Sequence, residues 1–166
     1  MSIASPQRVV ILGAGHAGGT AAALLRRYGF TGAISLLGAE PNAPYQRPPL
    51  SKAWLKGEID AETLALKPLA FYADQNIDFR PQTAGIAIDR AARTVKLSDS
   101  SVLAYDALVL ATGARAITLN VPGANLEGVT CLRTVADAER LKAEIYPSAQ
   151  LAVIGGGYVG LEVAAS

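Results

Sequence analysis

A chain of 166 residues that is 51% hydrophobic, 17% charged and 6% aromatic has the apolar material for a core and does not have a disordered composition. Fifteen Lys and Arg against fourteen Asp and Glu leave a net charge of +1, which supplies neither the basic field of a nucleic-acid binder nor a polybasic tail for lipid. No apolar run approaches the ~18 residues of a membrane span, Met1 to Val10 lacks the layout of a secretory signal, and the single cysteine, Cys131, excludes an internal disulfide framework. No nucleic acid and no membrane are expected as partners, no metal site is expected, and the cytoplasm is the expected compartment.

In chain order, Arg8 to Leu12 reads as a buried strand, Gly13 to Gly15 as a tight turn, and Ala17 to Tyr28 as a helix with Arg26 and Arg27 on its exposed face. Ala33 to Leu37 returns as a second buried strand, completing a βαβ unit. Pro41, Pro44, Pro48 and Pro49 then forbid a continuing helix or central strand and mark a long shaped loop. Ser51 is expected to cap a short helix through about Lys56, and Pro68 to open another through about Gln75. Ile77 to Phe79, Thr83 to Asp89, Arg93 to Leu97 and Val102 to Leu103 read as strands, including a hairpin. Ala107 to Ala111 has the continuous apolar run of a parallel strand buried on both faces. Residues 114–129 read as irregular. Thr134, with Asp137 in the first turn, predicts a helix to about Ile145 ahead of Pro147. Leu151 to Ile154 is expected to be another buried strand, followed by a second glycine turn and a helix start. A βαβ unit takes about thirty residues, so the second is expected to be incomplete and the chain to be an N-terminal piece of a larger protein.

The two glycine turns carry the chemistry. In Gly13-Ala14-Gly15-His16-Ala17-Gly18 the first glycine permits the turn, the second lets a pyrophosphate approach backbone, and the third lets helix pack on strand. The helix N-terminus then faces the anion. Glu40, about twenty residues further on at the end of the next strand, fits an acceptor for ribose hydroxyls. Gly155-Gly156-Gly157-Tyr158-Val159-Gly160 repeats the form, but its distal acid would lie past Ser166, so NAD and its 2′-phosphorylated form are not distinguished. Two dinucleotide sites imply an electron relay, with a flavin as the natural hydride acceptor. The bland alternative makes these glycines simple turns and Glu40 a solvated acid. His16 is expected to be structural, Cys131 a small buried hydrophobe, and Tyr45 and Trp54 either flank a cofactor or pack the loop.

At Pro44-Tyr45-Gln46-Arg47-Pro48-Pro49-Leu50-Ser51-Lys52 the chain resembles the FAD-containing, NADH-dependent ferredoxin reductases that serve oxygenases. The first glycine turn, Tyr105-Asp106 leading into Leu108 to Ala114, Leu132-Arg133-Thr134 with Asp137-Ala138, and Gly155 to Ala165 agree. The resemblance implies an α/β fold like glutathione reductase. Residues 1–114 would form the first part of an interrupted, Rossmann-like FAD-binding domain, and 115–166 a linker and the start of a Rossmann-like NADH-binding domain. It further implies that Gly13, Gly15, Ala17 and Gly18 line the FAD pyrophosphate and Glu40 its ribose. Arg47, Lys52 and Arg133 would hold the middle of the cofactor, and Thr112 and Gly113 would bring backbone close to it. Gly155, Gly157 and Gly160 would serve NADH. Lys52 and Glu162 resemble the family pair that meets beside the flavin, and both are expected to act in catalysis.

Disulfide reductases of the glutathione and lipoamide type carry a Cys-x4-Cys pair just after the first βαβ unit, where the proline-rich loop of this chain contains no cysteine, whereas a Cys-x-x-Cys of the thioredoxin-reductase type would lie further on. Electrons are therefore expected to leave the flavin singly, to a ferredoxin-type iron–sulfur partner. Related flavoproteins remain open at this point: a monodehydroascorbate reductase, the flavin portion of an NADH nitrite reductase, or a noncatalytic nucleotide-binding fragment.

Overall fold

The computed structural model describes residues 6–146 and 148–166. The first five residues and Pro147, to which the readings of a leader and of a helix stop refer, lie outside the described residues. The chain divides into two compact units, the first drawn from Met1–Tyr45 and Ala65–Gly113, the second from Gln46–Leu64 and Ala114–Ser166.

The first unit is the α/β layer structure expected. Strands β1 (Arg8–Leu12), β2 (Ala33–Leu37), β3 (Ile77–Arg80) and β7 (Ala107–Leu110) form a parallel sheet in the order β3-β2-β1-β7. Helix α1 (His16–Arg27) makes the crossover from β1 to β2, which pair from Arg8 with Ala33 to Leu12 with Leu37. An antiparallel sheet of β4 (Gly85–Asp89), β5 (Thr94–Leu97) and β6 (Val102–Ala104) covers the other face. The unbroken apolar run of β1 follows from its place between two layers, since successive side chains point to opposite faces. Val9 and Ile11 join Ala22 of α1, Ile34, Leu36 and Tyr72 in one core cluster. Val10 and Leu12 join Leu37, Val95, Leu97 and Tyr105 in the other.

Tyr72 lies on α3 (Leu69–Asp74), which opens after Pro68 as expected. Strand β7 is parallel but is only half-buried, with Leu110 exposed, because β1 is its one strand neighbour among the described residues. The expectation of burial on both faces is corrected accordingly. Arg26 also departs from expectation. It is half-buried, and its guanidinium donates to the carbonyls of Phe30, Gly32, Gln75 and Asn76 at 2.7 to 2.8 Å, tying the end of α1 to two turns.

In the second unit, Ser51 closes a 3₁₀ turn (Pro48–Ser51) instead of capping a helix, and residues 52–57 continue as turns. The prolines preset the first turn of that segment but give it no continuing α-helical periodicity. A short helix, α2 (Ala61–Leu64), follows; Asp60 ahead of it accepts from the Thr63 N–H at 2.8 Å, and Glu62 places an acid in its first turn. Residues 114–133 contain no helix or strand, which leaves Cys131 exposed where a buried thiol was expected. Helix α4 (Val135–Glu144) begins at the expected cap: the Thr134 hydroxyl accepts from the Asp137 N–H, and the Asp137 carboxylate accepts from the Thr134 N–H. Leu151 to Ile154 is not a strand, and Leu151, Val153 and Ile154 are exposed. A parallel strand exists only through neighbours that satisfy its backbone, and no described strand pairs with this segment. Helix α5 (Tyr158–Ala165) nevertheless forms after Gly157 as expected.

Candidate functional site

The first glycine turn joins the end of β1 to α1. Gly13 has φ +108°, and a Cβ placed there would lie 2.1 Å from the Ala111 carbonyl oxygen at the end of β7. A Cβ on Gly18 would lie 1.8 Å from the Gly13 carbonyl oxygen, so Gly18 is where helix closes on strand. Gly15 differs: it is the N-cap residue of α1, makes no side-chain cap, and has nothing within 4 Å of a Cβ position. The turn therefore has one glycine for backbone direction, one for helix packing, and one that leaves open room before the first N–H groups of α1. An anionic diphosphate approaching backbone needs that arrangement.

Around this turn, His16 and Ala17 are exposed at the start of α1. Thr112 and Gly113, also exposed, follow β7, with Gly113 at φ +68°. Glu40 lies just past β2, half-buried, and accepts a hydrogen bond from the Tyr45 hydroxyl at 2.5 Å. Tyr45, undecided from the sequence, is buried and orients this acid. No spacing rule links an acid to a tyrosine in an irregular loop, so the partnership was not legible.

The second unit repeats the turn geometry. Gly155 has φ +109°, Gly157 is the N-cap of α5 with nothing within 4 Å of its Cβ position, and a Cβ on Gly160 would meet the Gly155 carbonyl oxygen at 2.4 Å. The three roles thus recur in order, although the preceding segment is not a strand.

Within the same unit, Lys52 Nζ and Glu162 Oε2 form an ion pair at 2.7 Å, with side chains 49% and 32% exposed. Ser51 Oγ donates to the same Oε2 at 2.6 Å. The Lys52 ammonium and then the Ser51 hydroxyl hold the Glu162 carboxyl below its ordinary pKa. Local sequence marks Ser51 as a helix cap and as part of the proline-rich motif, while its distant partner, 111 residues away, leaves no local signal. Arg47 donates to the Arg133 carbonyl at 2.5 Å. The Arg133 backbone N–H donates to Asp137 at 3.1 Å, while its side-chain Nε is buried without a hydrogen-bond partner among the described residues. A buried, unsatisfied guanidinium nitrogen calls for an acceptor, and a diphosphate is one that arginine binds well.

Among the described residues, no group of three or more His, Cys, Asp or Glu is placed to hold a metal ion, and no helix is long and apolar enough to cross a membrane.

Residues 7–166 match the family model described as pyridine nucleotide-disulphide oxidoreductase. The chain is 51% identical over 160 residues to the probable ferredoxin reductase CtmF of Castellaniella defragrans, covering 96% of this chain and 39% of that protein. It is 50% identical to rhodocoxin reductase of Rhodococcus erythropolis, covering 95% of this chain and 37% of that one. Among solved structures it is similar to a covalent putidaredoxin reductase–putidaredoxin complex, with a TM-score of 0.90, 44% identity, and coverage of 96% of this chain and 39% of that chain. The chain thus spans about two fifths of the length of the relatives it matches.

Proposed function

The chain belongs to the pyridine nucleotide-disulphide oxidoreductase family, and from that premise we propose that it works in a cytoplasmic flavoprotein reductase passing electrons from NADH through FAD to a small ferredoxin-type iron–sulfur protein that serves an oxygenase. In this reading residues 1–114 supply the first part of the FAD-binding domain, and residues 115–166 a linker and the opening of the NADH-binding domain. FAD held there would supply a two-electron hydride acceptor that can also donate single electrons.

The chain's own residues bind and orient. In the first unit, Gly13, Gly15, Ala17 and Gly18 present the N-terminus of α1 to the FAD pyrophosphate, Glu40 accepts from ribose hydroxyls, and Thr112 and Gly113 bring backbone close. In the second unit, Arg47, Lys52 and Arg133 supply cationic groups for the middle of the cofactor, and Gly155, Gly157 and Gly160 supply the turn for NADH. Lys52 and Glu162 are the proposed catalytic pair: the lysine would place positive charge beside a bound flavin, and the glutamate would compensate it and shape the place of a nicotinamide. No protein nucleophile is needed, only a donor carbon and an acceptor nitrogen held about 3 to 3.5 Å apart.

The observation that carries this reading is the Lys52–Glu162 ion pair at 2.7 Å, which joins the proline-rich loop to the helix after the second glycine turn. The names of the relatives, reductases of ferredoxin and rhodocoxin, support the choice of acceptor. The test is to purify the full-length protein, record its visible spectrum, and follow NADH-driven bleaching with and without a [2Fe–2S] ferredoxin and cytochrome c. Flavin absorbance and ferredoxin-dependent cytochrome c reduction are expected; a colourless protein without diaphorase activity overturns the reading.

A further inference from the structure

The Lys52–Glu162 pair is half-exposed on both sides, and an ion pair so placed does little to fix its own geometry. Ser51 is different. It is 5% exposed and stands at the end of a 3₁₀ turn whose backbone is stiffened by Pro48 and Pro49. Its hydroxyl has one proton to give. The alternative acceptor, the Pro48 carbonyl, is 3.4 Å away, beyond the ordinary O–H···O range, whereas Glu162 Oε2 is at 2.6 Å, the length of a charge-assisted bond.

We propose that Ser51 is the positioning residue of this pair: its buried hydroxyl fixes the Glu162 carboxylate, so that Oε2 receives both the serine proton and the Lys52 ammonium while Oε1 stays open to a further donor. Among the described residues Lys52 is the one cation within ion-pair distance of Glu162. Without Ser51 nothing rigid holds the carboxylate against rotation, and Lys52 follows it. The consequence for hydride transfer rests on the function proposed above; the positioning itself does not.

The experiment uses the full-length protein labelled with 13C at glutamate carboxyls, the Glu162 signal being identified by its loss in Glu162→Gln. In Ser51→Ala the Glu162 titration midpoint is expected to rise toward the ordinary carboxylate value, and in Ser51→Thr, which keeps the hydroxyl, to return toward wild type. Stopped-flow flavin reduction by NADH is expected to slow about tenfold in the alanine variant and to recover in the threonine variant. Should Ser51→Ala fail to fold, Ser51→Cys, of similar volume and a weak donor, takes its place. An unmoved midpoint in a folded variant overturns the proposal; a moved midpoint with an unmoved rate upholds the positioning and overturns its consequence for hydride transfer. If the wild-type protein carries no flavin, the functional reading fails instead, and the titration alone decides whether Ser51 positions Glu162.

Discussion

Gly15 and Gly18, three residues apart, lack side chains for opposite reasons. At Gly18 a methyl group would enter the Gly13 carbonyl, so Gly18→Ala is expected to destabilise the fold by about 1–3 kcal/mol or more. At Gly15 a methyl group meets nothing within 4 Å and φ is −80°, so Gly15→Ala is expected to cost less than about 1 kcal/mol yet to weaken FAD binding by filling the room left for a diphosphate. Urea denaturation and flavin titration of the two full-length variants separate these effects. Asp106 gives a second prediction. Its carboxylate accepts from the Arg8 guanidinium at 2.8 and 3.2 Å and from the Gln7 and Arg8 backbone N–H groups, and Arg8 first of all holds its pKa down to about 2. A carboxyl depressed on folding stabilises the native state above its unfolded pKa of about 3.9. That contribution is lost as pH falls toward and through about 2. Asp106→Asn is expected to flatten the stability curve in this acid window, measured by denaturant midpoints at stepped pH.

At the scale of elements, local chemistry decides where helices begin. The reciprocal cap between Thr134 and Asp137 makes the start of α4 legible from the spacing of two residues, and Thr134→Ala is expected to cost about 1 kcal/mol by urea denaturation. The segment at Leu151 to Ile154 shows the contrary case. It has the composition of a buried strand, but a strand is a relation between segments, and no described segment supplies its backbone partners. Ser51 shows how a sound local rule misleads: serine ahead of a run of helix-forming residues reads as a cap, yet the prolines ahead of it make a 3₁₀ turn and its hydroxyl serves Glu162. Arg26 is similar, because helical periodicity assigns it a face but does not reveal the carbonyls of Phe30, Gly32, Gln75 and Asn76 that gather around it.

At the scale of the whole molecule, the predicted chemistry depends on residues that the chain supplies from far apart in sequence. Replacing Glu162 by Gln or Lys52 by Ala in the full-length protein is expected to slow flavin reduction by NADH about tenfold or more, with flavin content retained, because each change removes one charge of a directly bonded pair. Stopped-flow absorbance measures the rate, and the flavin-to-protein absorbance ratio measures retention; unchanged rates in both variants would remove the pair from the catalytic machinery.

What the sequence alone determined is the pair of glycine turns with their helices, the strands and crossover helix of the parallel α/β layer, and the capped start of α4. Each is written in turn chemistry, side-chain periodicity or the spacing of near neighbours, which act over a few residues. The Lys52–Glu162 contact was accessible only through family resemblance, since no periodicity spans such a distance. Tertiary structure alone decided that Tyr45 orients Glu40, that Ser51 shares Glu162 with Lys52, that Cys131 is exposed and that β7 is half-buried. Burial and partnership belong to whichever distant segments the fold brings alongside a residue, and that information is not carried by the residue's own neighbours in the chain.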